Sequence, residues 1–239
     1  MRYHTIVLPL TSIQLGDAIS LGQAHRHHLE VVLRKKPGDR IILASPAGYF
    51  IAELITKDGG IAASVVEMQD RATHSPLPIH LYQGICQPKK MDWIIQKTTE
   101  LGVEAITPIH TERCQYTIDS VSNKMARLGT IAENACEQAQ RNIVPTIHPP
   151  CALSRIDTSP ESCNLLLVPD ATDTLASIDN KASHINLIIG PEGGLTPAEI
   201  TYLTNKNWRP IRFGPRVLRT ETAAIAITAA IAALWGDCK

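Results

Sequence analysis

Apolar residues in the first part of the chain occur in short runs that turn-forming residues separate. These runs are rich in Ile, Val and Tyr, and they predict β-strands at residues 3–8, 40–44, 49–54 and 61–67. Turn signals such as Lys36-Pro37-Gly38-Asp39 lie between them, and one helix is predicted at 24–33. Strands at such short, even spacing favour a small β-barrel. The segment that follows, 73–78, is predicted to be a linker.

After residue 78 the pattern changes, because short apolar runs now alternate with amphipathic stretches. Strands are predicted at 79–85, 105–109, 165–168, 185–189 and 211–213. Helices are predicted from an N-cap at Asp92 to Gly102, then at 120–141, and finally at 222–235. The alternation indicates an α/β domain with a mostly parallel sheet and helices on both faces. We therefore expect two domains, at 1–72 and 73–239.

The final predicted helix has almost no polar face. Between Ala223 and Leu234 only Thr228 interrupts a run of Ala, Ile and Leu. Such a helix must be buried on all sides, and a second subunit often covers one of them. The run is shorter than a membrane span, and the N-terminal residues are too few and too polar for a signal peptide. We expect a cytoplasmic protein without a membrane partner.

The charges balance, with 23 Lys and Arg against 23 Asp and Glu, so any nucleic-acid surface must be a local patch. The basic run Arg34-Lys35-Lys36 could contact phosphate or simply be a solvated surface. Six cysteines form no C-x-x-C pair, which argues against a metal site and a disulfide framework. His25 and His28 also lack the further ligands that a metal requires. No metal is expected.

Two glycine-containing turns carry the strongest functional signal. Gly190-Pro191-Glu192-Gly193-Gly194 follows the predicted strand 185–189, and Phe213-Gly214 opens a second turn that leads into the final helix. Glycine allows a ligand to approach the backbone and adopts φ values that other residues avoid, so the two turns predict a ligand site built from main-chain groups. The alternative is a plain strand-to-helix connection with Pro197 in the first turn. Neither the G-x-G-x-x-G nor the Walker A pattern is present.

Charged residues near these turns and on the helix at 120–141 are further candidates. Arg216, Arg219 and Glu221 lie beside the second turn, where they could serve function or brace a helix start that Thr220 caps. Glu133, Glu137 and Arg141 follow one another at i, i+4 on the long helix, which an intrahelical ion-pair ladder would also explain. Arg113, at a strand end, is either a loop residue or an anion ligand.

The two glycine motifs taken together strongly resemble the RsmE family, the 16S ribosomal RNA uracil-N3 methyltransferases of the SPOUT superfamily. The motifs are LIIGPEGGLT at 187–196 and GPRVLRTETA at 214–223. Further similar segments follow in order along nearly the whole chain: 28–34 with Gly38-Asp39, 89–103, Thr111-Glu112-Arg113, and Glu137-Gln138 with Arg141. Three positions depart from the family pattern. Tyr3-His4 stands for a usual Phe-Phe, Cys114 for a common serine and Gln140 for a common glycine.

The resemblance implies a PUA-like N-terminal β-barrel, a SPOUT domain with a C-terminal trefoil knot, and a homodimer. It implies S-adenosylmethionine as methyl donor. The implied acceptor is N3 of a uridine of the 1498 type in 16S ribosomal RNA, within the small ribosomal subunit or its precursor. A SPOUT enzyme acting on another atom, such as a ribose 2′-hydroxyl, and a non-catalytic RNA-binding assembly factor are the alternatives.

From this resemblance and the chemistry of uracil we assign residues to three roles. The loops after the strands that end near Val168, Ile189 and Phe213 are expected to hold the cofactor, through Val168, Pro169, Gly190, Pro191, Glu192, Gly193, Gly194, Phe213, Gly214, Val217, Leu218, Arg219, Thr222 and Ala223. The catalytic candidates are Arg219 and Arg113 or Arg141 as cations, with Glu192, Glu137 or Glu221 as proton acceptor. The RNA-binding candidates are Arg2, Arg26, Arg34, Lys35, Lys36 and Lys89.

Overall fold

A computed structural model describes residues 3–57, 59–71, 75–157, 159, 161–179 and 182–238. The chain divides into two compact units. The first comprises the described residues of Met1–His74 together with Cys136–Val144, and the second those of Ser75–Ala135 and Pro145–Lys239. The predicted domain boundary at 72/73 and the first residues of the predicted linker lie outside the described residues.

The first unit contains a mixed five-stranded sheet among its described residues. Its strands are β1 (Thr5–Val7), β2 (Ala18–Ser20), β3 (Arg40–Ser45), β4 (Gly48–Lys57) and β5 (Gly60–Gln69). The order is β1-β3-β4-β5-β2, with β1 parallel to β3 and the other pairs antiparallel. The four predicted strands are confirmed, with β4 and β5 longer than expected. The short β2, with two of its three residues exposed, gave no sequence signal.

Alternate residues of these strands form the core of the first unit. Leu43, Phe50 and Leu54 are buried almost completely, together with Leu29 from the helical segment. Alternation arises because successive side chains of a strand point to opposite faces, and each large apolar side chain buried in this way contributes about 2 kcal/mol. The predicted helix is confirmed as α1 (Gln23–His27), which continues into a π-helical turn at His28–Val32.

The second unit contains a parallel sheet of seven strands in its described part. They are β6 (Ile79–Gly84), β7 (Ala105–His110), β8 (Thr146–Ile147), β9 (Cys151–Ala152), β10 (Cys163–Leu167), β11 (Ile185–Ile189) and β12 (Arg209–Ile211). The order is β12-β10-β11-β6-β7-β8, with β9 beside β7. All pairs are parallel, as predicted. The carboxyl ends of the strands therefore lie along one edge.

Five α-helices begin in the described part of the second unit. They are α2 (Pro88–Glu100), α3 (Ile118–Ser122), α4 (Met125–Ala139), α5 (Pro197–Thr204) and α6 (Thr220–Trp235). The last residues of α4, from Cys136, belong to the first unit. Helix α5 was not among the predicted helices, although a strand-to-helix connection with Pro197 in the first turn was the alternative interpretation of the glycine turn after β11. Thr196 caps α5 by accepting a hydrogen bond from the Glu199 backbone N–H, and Pro197 occupies the first turn.

Several predicted element bounds are wrong. Asp92 lies inside α2 rather than at its N-cap, which is Gln87, because Pro88 is suited to the first helical position. The helix predicted at 120–141 is divided into α3 and α4. The strand predicted at 211–213 is shifted to Arg209–Ile211, and Pro210 is tolerated there because β12 is an edge strand.

Helix α6 is buried on one face only. Ala223, Ala224, Ile227 and Ile231 are buried, whereas Leu234 is 52% exposed. Burial on all sides, which the apolar sequence predicts, is therefore not achieved by this chain alone. Among the described residues there is no helix that combines the length and the apolar character needed to cross a membrane.

Candidate functional site

The loops that follow β10, β11 and β12 enclose a cavity of about 580 Å³ in the second unit. In an open parallel sheet, ligands bind outside the carboxyl ends of the strands, and the volume lies in the range of small-molecule sites. The lining residues are Lys90, Arg113, Leu167, Val168, Pro169, Asp170, Ile189, Gly190, Pro191, Glu192, Gly193, Gly194, Leu195, Pro197, Ile200, Phe213, Gly214, Arg216, Val217, Leu218, Arg219, Thr220 and Ala223.

Two glycines of the turn after β11, Gly190 and Gly193, leave little space for a Cβ atom. A Cβ on Gly190 would lie 3.2 Å from backbone atoms of Gly194, and one on Gly193 would lie 2.9 Å from Cβ of Arg113. Gly194 has a φ of 68°, a left-handed conformation that favours glycine. The turn is closed by a hydrogen bond from the Gly194 N–H to the carbonyl of Pro191, at 2.9 Å. Backbone groups therefore form this wall of the cavity.

The second turn leads from β12 to the N-terminus of α6. Gly214 has a φ of 72°, again left-handed. Arg219 is the N-cap residue of α6, so the prediction that Thr220 caps the helix is wrong. The Thr220 hydroxyl instead donates a hydrogen bond to the carbonyl of Gly190 at 2.7 Å. The two glycine turns, which are far apart in sequence, thus meet at one cavity.

A cluster of charges lies at the mouth of this cavity. The ammonium of Lys90 lies 3.2 Å from the carboxylate of Glu192 and 3.6 Å from that of Glu221. Burial alone would raise the pKa of Glu192, but the Gln87 backbone N–H and Lys90 outweigh it and hold that pKa below its ordinary value. Glu192 is therefore ionised at neutral pH. Lys90 could not be predicted as a site residue, because it has no local signal beyond its place beside Lys89.

Three arginines also line the cavity: Arg113, Arg216 and Arg219. All three are exposed, and Arg113 donates a hydrogen bond from Nη1 to the Gly193 carbonyl at 3.1 Å. Next to Arg113, the Cys114 sulfur accepts a hydrogen bond from the Thr111 backbone N–H at 3.3 Å. These three guanidinium groups could stabilise an anion at the cavity.

Most of the residues assigned to the cofactor line this cavity. The exception among them is Thr222, which is exposed and is not among the described residues that form the wall. Residues that the prediction omitted, including Lys90, Asp170 and Leu195, line it as well.

Two of the catalytic candidates lie elsewhere. Glu137 and Arg141 belong to the first unit, and neither is among the described residues that line the cavity. The Glu137 carboxylate accepts a hydrogen bond from the Val7 backbone N–H at 3.4 Å and lies 3.5 Å from Nε2 of His25. Arg141 is only 6% exposed.

The basic RNA-binding candidates are mostly exposed. Arg26, Arg34 and Lys36 are exposed in the first unit, and Lys35 is partly buried. Lys89 is exposed at the start of α2, whereas Arg2 lies outside the described residues. The part of the chain that the structure describes contains no group of three or more His, Cys, Asp or Glu residues that could hold a metal.

Comparison with known proteins agrees with this geometry. Residues 73–232 match the RNA methyltransferase domain family. Ribosomal RNA small subunit methyltransferase E of Buchnera aphidicola from Schizaphis graminum is 34% identical over 231 residues, which is 94% of each chain. The Bacillus subtilis protein of that name is 30% identical over 246 residues, covering 97% of this chain and 96% of the other.

Solved structures extend the likeness to the whole fold. A ribosomal RNA small subunit methyltransferase E from Neisseria gonorrhoeae, solved bound to S-adenosyl methionine, has a TM-score of 0.91 and 31% identity over 100% of both chains. A Legionella pneumophila protein in complex with the same cofactor has a TM-score of 0.91 and 34% identity over 99% of this chain and 100% of its own. The chain therefore belongs to the RsmE family of small-subunit ribosomal RNA methyltransferases within the RNA methyltransferase domain proteins.

Proposed function

We propose that this protein transfers a methyl group from S-adenosylmethionine to N3 of a uridine, of the 1498 type, in the 16S RNA of the small ribosomal subunit or its precursor. The observation that supports it most is the cavity formed by the three loops after β10, β11 and β12. Two relatives of the same fold were solved with S-adenosyl methionine bound.

The chemistry of the cavity wall fits this cofactor. Apolar side chains such as Val168, Leu218 and Ala223 offer a surface for an adenine ring, and the glycine turns offer backbone groups at close range for the polar parts. Glu192 is ionised and lines the cavity, so its negative charge could balance the positive charge of the cofactor's sulfonium. S-adenosylmethionine, when bound, supplies an electrophilic methyl group that needs little help beyond alignment with the acceptor.

The acceptor requires more from the protein. Uracil N3 carries a proton, and its loss leaves negative charge on O2 and O4, so the site must offer a cation and a proton acceptor. Arg219, which lines the cavity, stabilises those oxygens in our proposal. Arg113 or Arg141 of the partner subunit is a second candidate.

The proton acceptor is one of three carboxylates. Glu192 lines the cavity, but its lowered pKa makes it a weak base. Glu221, on the first turn of α6, has a buried Oε2 with no hydrogen-bond partner among the described residues, although Lys90 lies nearby. Glu137 lies in the first unit, so its participation would depend on how RNA and subunits assemble around the cavity.

The first unit is the proposed RNA-docking module. Its exposed Arg26, Arg34 and Lys36, with Arg2 and Lys35, would contact phosphates, and Lys89 would do so next to the cavity. The balanced net charge suits a large, shaped RNA particle rather than a bare strand held by charge alone. A cytoplasmic location follows from this substrate.

Three features of the assembled molecule belong to the same proposal: closure of the N-terminal sheet into a PUA-like barrel, a C-terminal trefoil knot, and a homodimer. Family membership supports all three. The half-exposed apolar face of α6 supports the homodimer in particular, since small side chains there permit close helix contact. Sedimentation analysis tests the dimer directly.

One experiment tests the activity. Small ribosomal subunits from cells that lack this gene are incubated with the protein and S-adenosylmethionine, and the nucleosides of the RNA are separated by mass spectrometry. We expect 3-methyluridine. A ribose-methylated nucleoside would identify a different acceptor atom, and stable RNA binding without methylation or cofactor binding would identify an assembly factor.

A further inference from the structure

Strand β6 carries a fully buried glutamine, Gln83, directly before its last residue. Gln83 is 0% exposed and is followed by the buried Gly84, at the edge where the cofactor loops begin. A glutamine amide buried at the centre of a sheet stabilises the fold less than an apolar side chain of the same size would. Its oxygen also has no hydrogen-bond partner among the described residues. The hydrogen bonds that its nitrogen makes therefore indicate its role.

The amide nitrogen of Gln83 starts a short chain of hydrogen bonds. Nε2 donates to the Thr220 hydroxyl at 2.9 Å and to the Gly84 carbonyl at 3.0 Å. The Thr220 hydroxyl donates onward to the Gly190 carbonyl at 2.7 Å. Its single proton is thus committed to Gly190, and its lone pair to Gln83. Strand β6, helix α6 and the turn after β11 are joined at one point.

The same turn also rests directly on the strand end. A Cβ on Gly84 would lie 2.4 Å from the backbone nitrogen of Pro191 and 2.7 Å from the carbonyl carbon of Gly190. The Gly190–Pro191 peptide therefore packs against β6 on one side while Thr220 holds its carbonyl. Both Gly190 and Thr220 line the cavity.

We propose that Gln83 and Thr220 are positioning residues, which fix the distance between the turn after β11 and the N-terminus of α6 so that the cavity is preformed for the cofactor. That the ligand is S-adenosylmethionine rests on the proposed function. The linkage, which is the chain of hydrogen bonds from Gln83 through Thr220 to Gly190, rests on geometry alone. A preformed site binds its ligand more tightly because less ordering remains to be done on binding. Neither residue needs to touch the reacting atoms.

Matched threonine variants test the proposal. Thr220→Val removes the hydroxyl at nearly constant volume, Thr220→Ser keeps it, and Thr228→Val is a control two turns along α6. The buried Thr228 hydroxyl has no hydrogen-bond partner within the described residues. Gln83→Met removes the amide from the other end of the chain of hydrogen bonds.

We expect Thr220→Val and Gln83→Met each to weaken S-adenosylmethionine binding about tenfold, the equivalent of one lost hydrogen bond. The KM for the cofactor should rise more than kcat falls, whereas the KM for RNA stays unchanged. Thr220→Ser and Thr228→Val should bind within about threefold of the unaltered protein. The double variant Thr220→Val with Gln83→Met should be no weaker than either single variant, because both break one linkage.

Hydrogen exchange at Gly193 and Gly194, measured without cofactor, provides a readout independent of catalysis. Faster exchange in Thr220→Val but not in Thr220→Ser supports the linkage even if S-adenosylmethionine proves not to be the ligand. Equal cofactor affinity and equal exchange in a folded Thr220→Val would overturn it. So would a Thr220→Ser variant as impaired as Thr220→Val. If Thr220→Val does not fold, the same comparison between Gln83→Met and the unaltered protein decides.

Discussion

At the scale of single residues, the cation that faces the acceptor matters most. Replacing Arg219 with alanine removes the group that we assign to the uracil oxygens, so methylation should fall by about 100-fold or more. The oligomeric state should change little. The assay is methyl transfer to small subunits under saturating cofactor.

Arg209→Ala is the control for that variant. Arg209 lies on β12 of the same sheet and pairs with Asp173 at 2.7 Å, and it is not among the described residues that line the cavity. Such an exposed pair contributes little to stability. Full activity of Arg219→Ala, or equal loss in both variants, would reject the assignment.

A second residue-scale prediction concerns pH. Burial lowers the pKa of His80 from 6.5 to about 4, and His148 and His184 add to the shift. His80 hydrogen-bonds Thr107 at 2.8 Å and stacks on Tyr82. The unfolded chain takes up this proton near its ordinary pKa, whereas the folded chain does so only near 4. Stability is therefore complete above the ordinary pKa and falls between these values, by about 3 kcal/mol.

Urea denaturation at pH 7.5 and pH 5 measures this effect. The free energy of unfolding of the unaltered protein should fall by about 2 kcal/mol more over this interval than that of His80→Gln, which does not titrate there. Identical losses in the two proteins would mean that His80 is not the source.

The residue scale also shows what the sequence could predict about the site. The two glycine turns could be recognised from the sequence, because glycine is the residue that most readily adopts left-handed conformations. Gly194 and Gly214 have such conformations. Lys90 and Gln83 could not be recognised, because their roles depend on contacts with Glu192 and Thr220 that lie more than a hundred residues away in sequence. No local pattern encodes such pairs.

At the scale of elements, helix ends were the least predictable feature. The long helix expected at 120–141 carries helical periodicity through the break between α3 and α4, so periodicity alone cannot show the interruption. The start of α3 did carry a local signal, since Thr117 is its N-cap residue and accepts a hydrogen bond from the Ser120 backbone N–H. The parallel strands were predicted more accurately because each is a continuous buried run, as in Ile185–Ile189.

Gln140, directly after α4, provides the prediction at this scale. It has a φ of 57°, a left-handed conformation that favours glycine. Its carbonyl accepts a hydrogen bond from the Tyr49 hydroxyl at 2.8 Å, and its side-chain oxygen accepts one from Arg71 at 2.7 Å. A β-branched residue fits this conformation poorly, so Gln140→Val should lower the free energy of unfolding by about 1–2 kcal/mol.

Thermal denaturation of Gln140→Val and Gln140→Gly distinguishes the effect of backbone strain at residue 140 from the effect of losing the hydrogen bond to Arg71. Both variants lose the hydrogen bond to Arg71, but glycine adopts the positive φ freely. We expect Gln140→Gly to melt clearly above Gln140→Val. Equal melting temperatures would show that backbone conformation at this turn is not limiting.

At the scale of the whole molecule, the balanced net charge means that RNA affinity depends on local basic groups and therefore on salt concentration. Local basic groups such as Arg34 and Lys36 would release counterions on docking, so RNA affinity should fall about tenfold or more between about 50 and 200 mM salt. Cofactor affinity, which depends mainly on backbone and apolar groups, should change little over the same range. Titrations with small subunits and with S-adenosylmethionine at each salt concentration measure both affinities. An RNA affinity that does not change with salt would contradict the proposed docking by basic residues.

The overall architecture was only partly accessible to sequence reasoning. The alternation of strands and helices predicts the parallel sheet. It does not predict that Cys136–Val144 belongs to the first unit, whereas the residues on either side of this segment belong to the second. Asn142 donates a hydrogen bond to the Ser45 carbonyl at 3.2 Å, and Gln140 accepts one from Tyr49. These contacts join segments about ninety residues apart, which no periodicity reveals.

The central claim is that the cavity between the two glycine turns binds S-adenosylmethionine. Calorimetric titration of the unaltered protein and of Gly190→Val tests it most directly, because a Cβ at Gly190 already lies 3.2 Å from the Gly194 backbone. We expect one bound cofactor per chain in the unaltered protein and no measurable binding in the folded variant. No binding to the unaltered protein, or equal affinity in both, would contradict it.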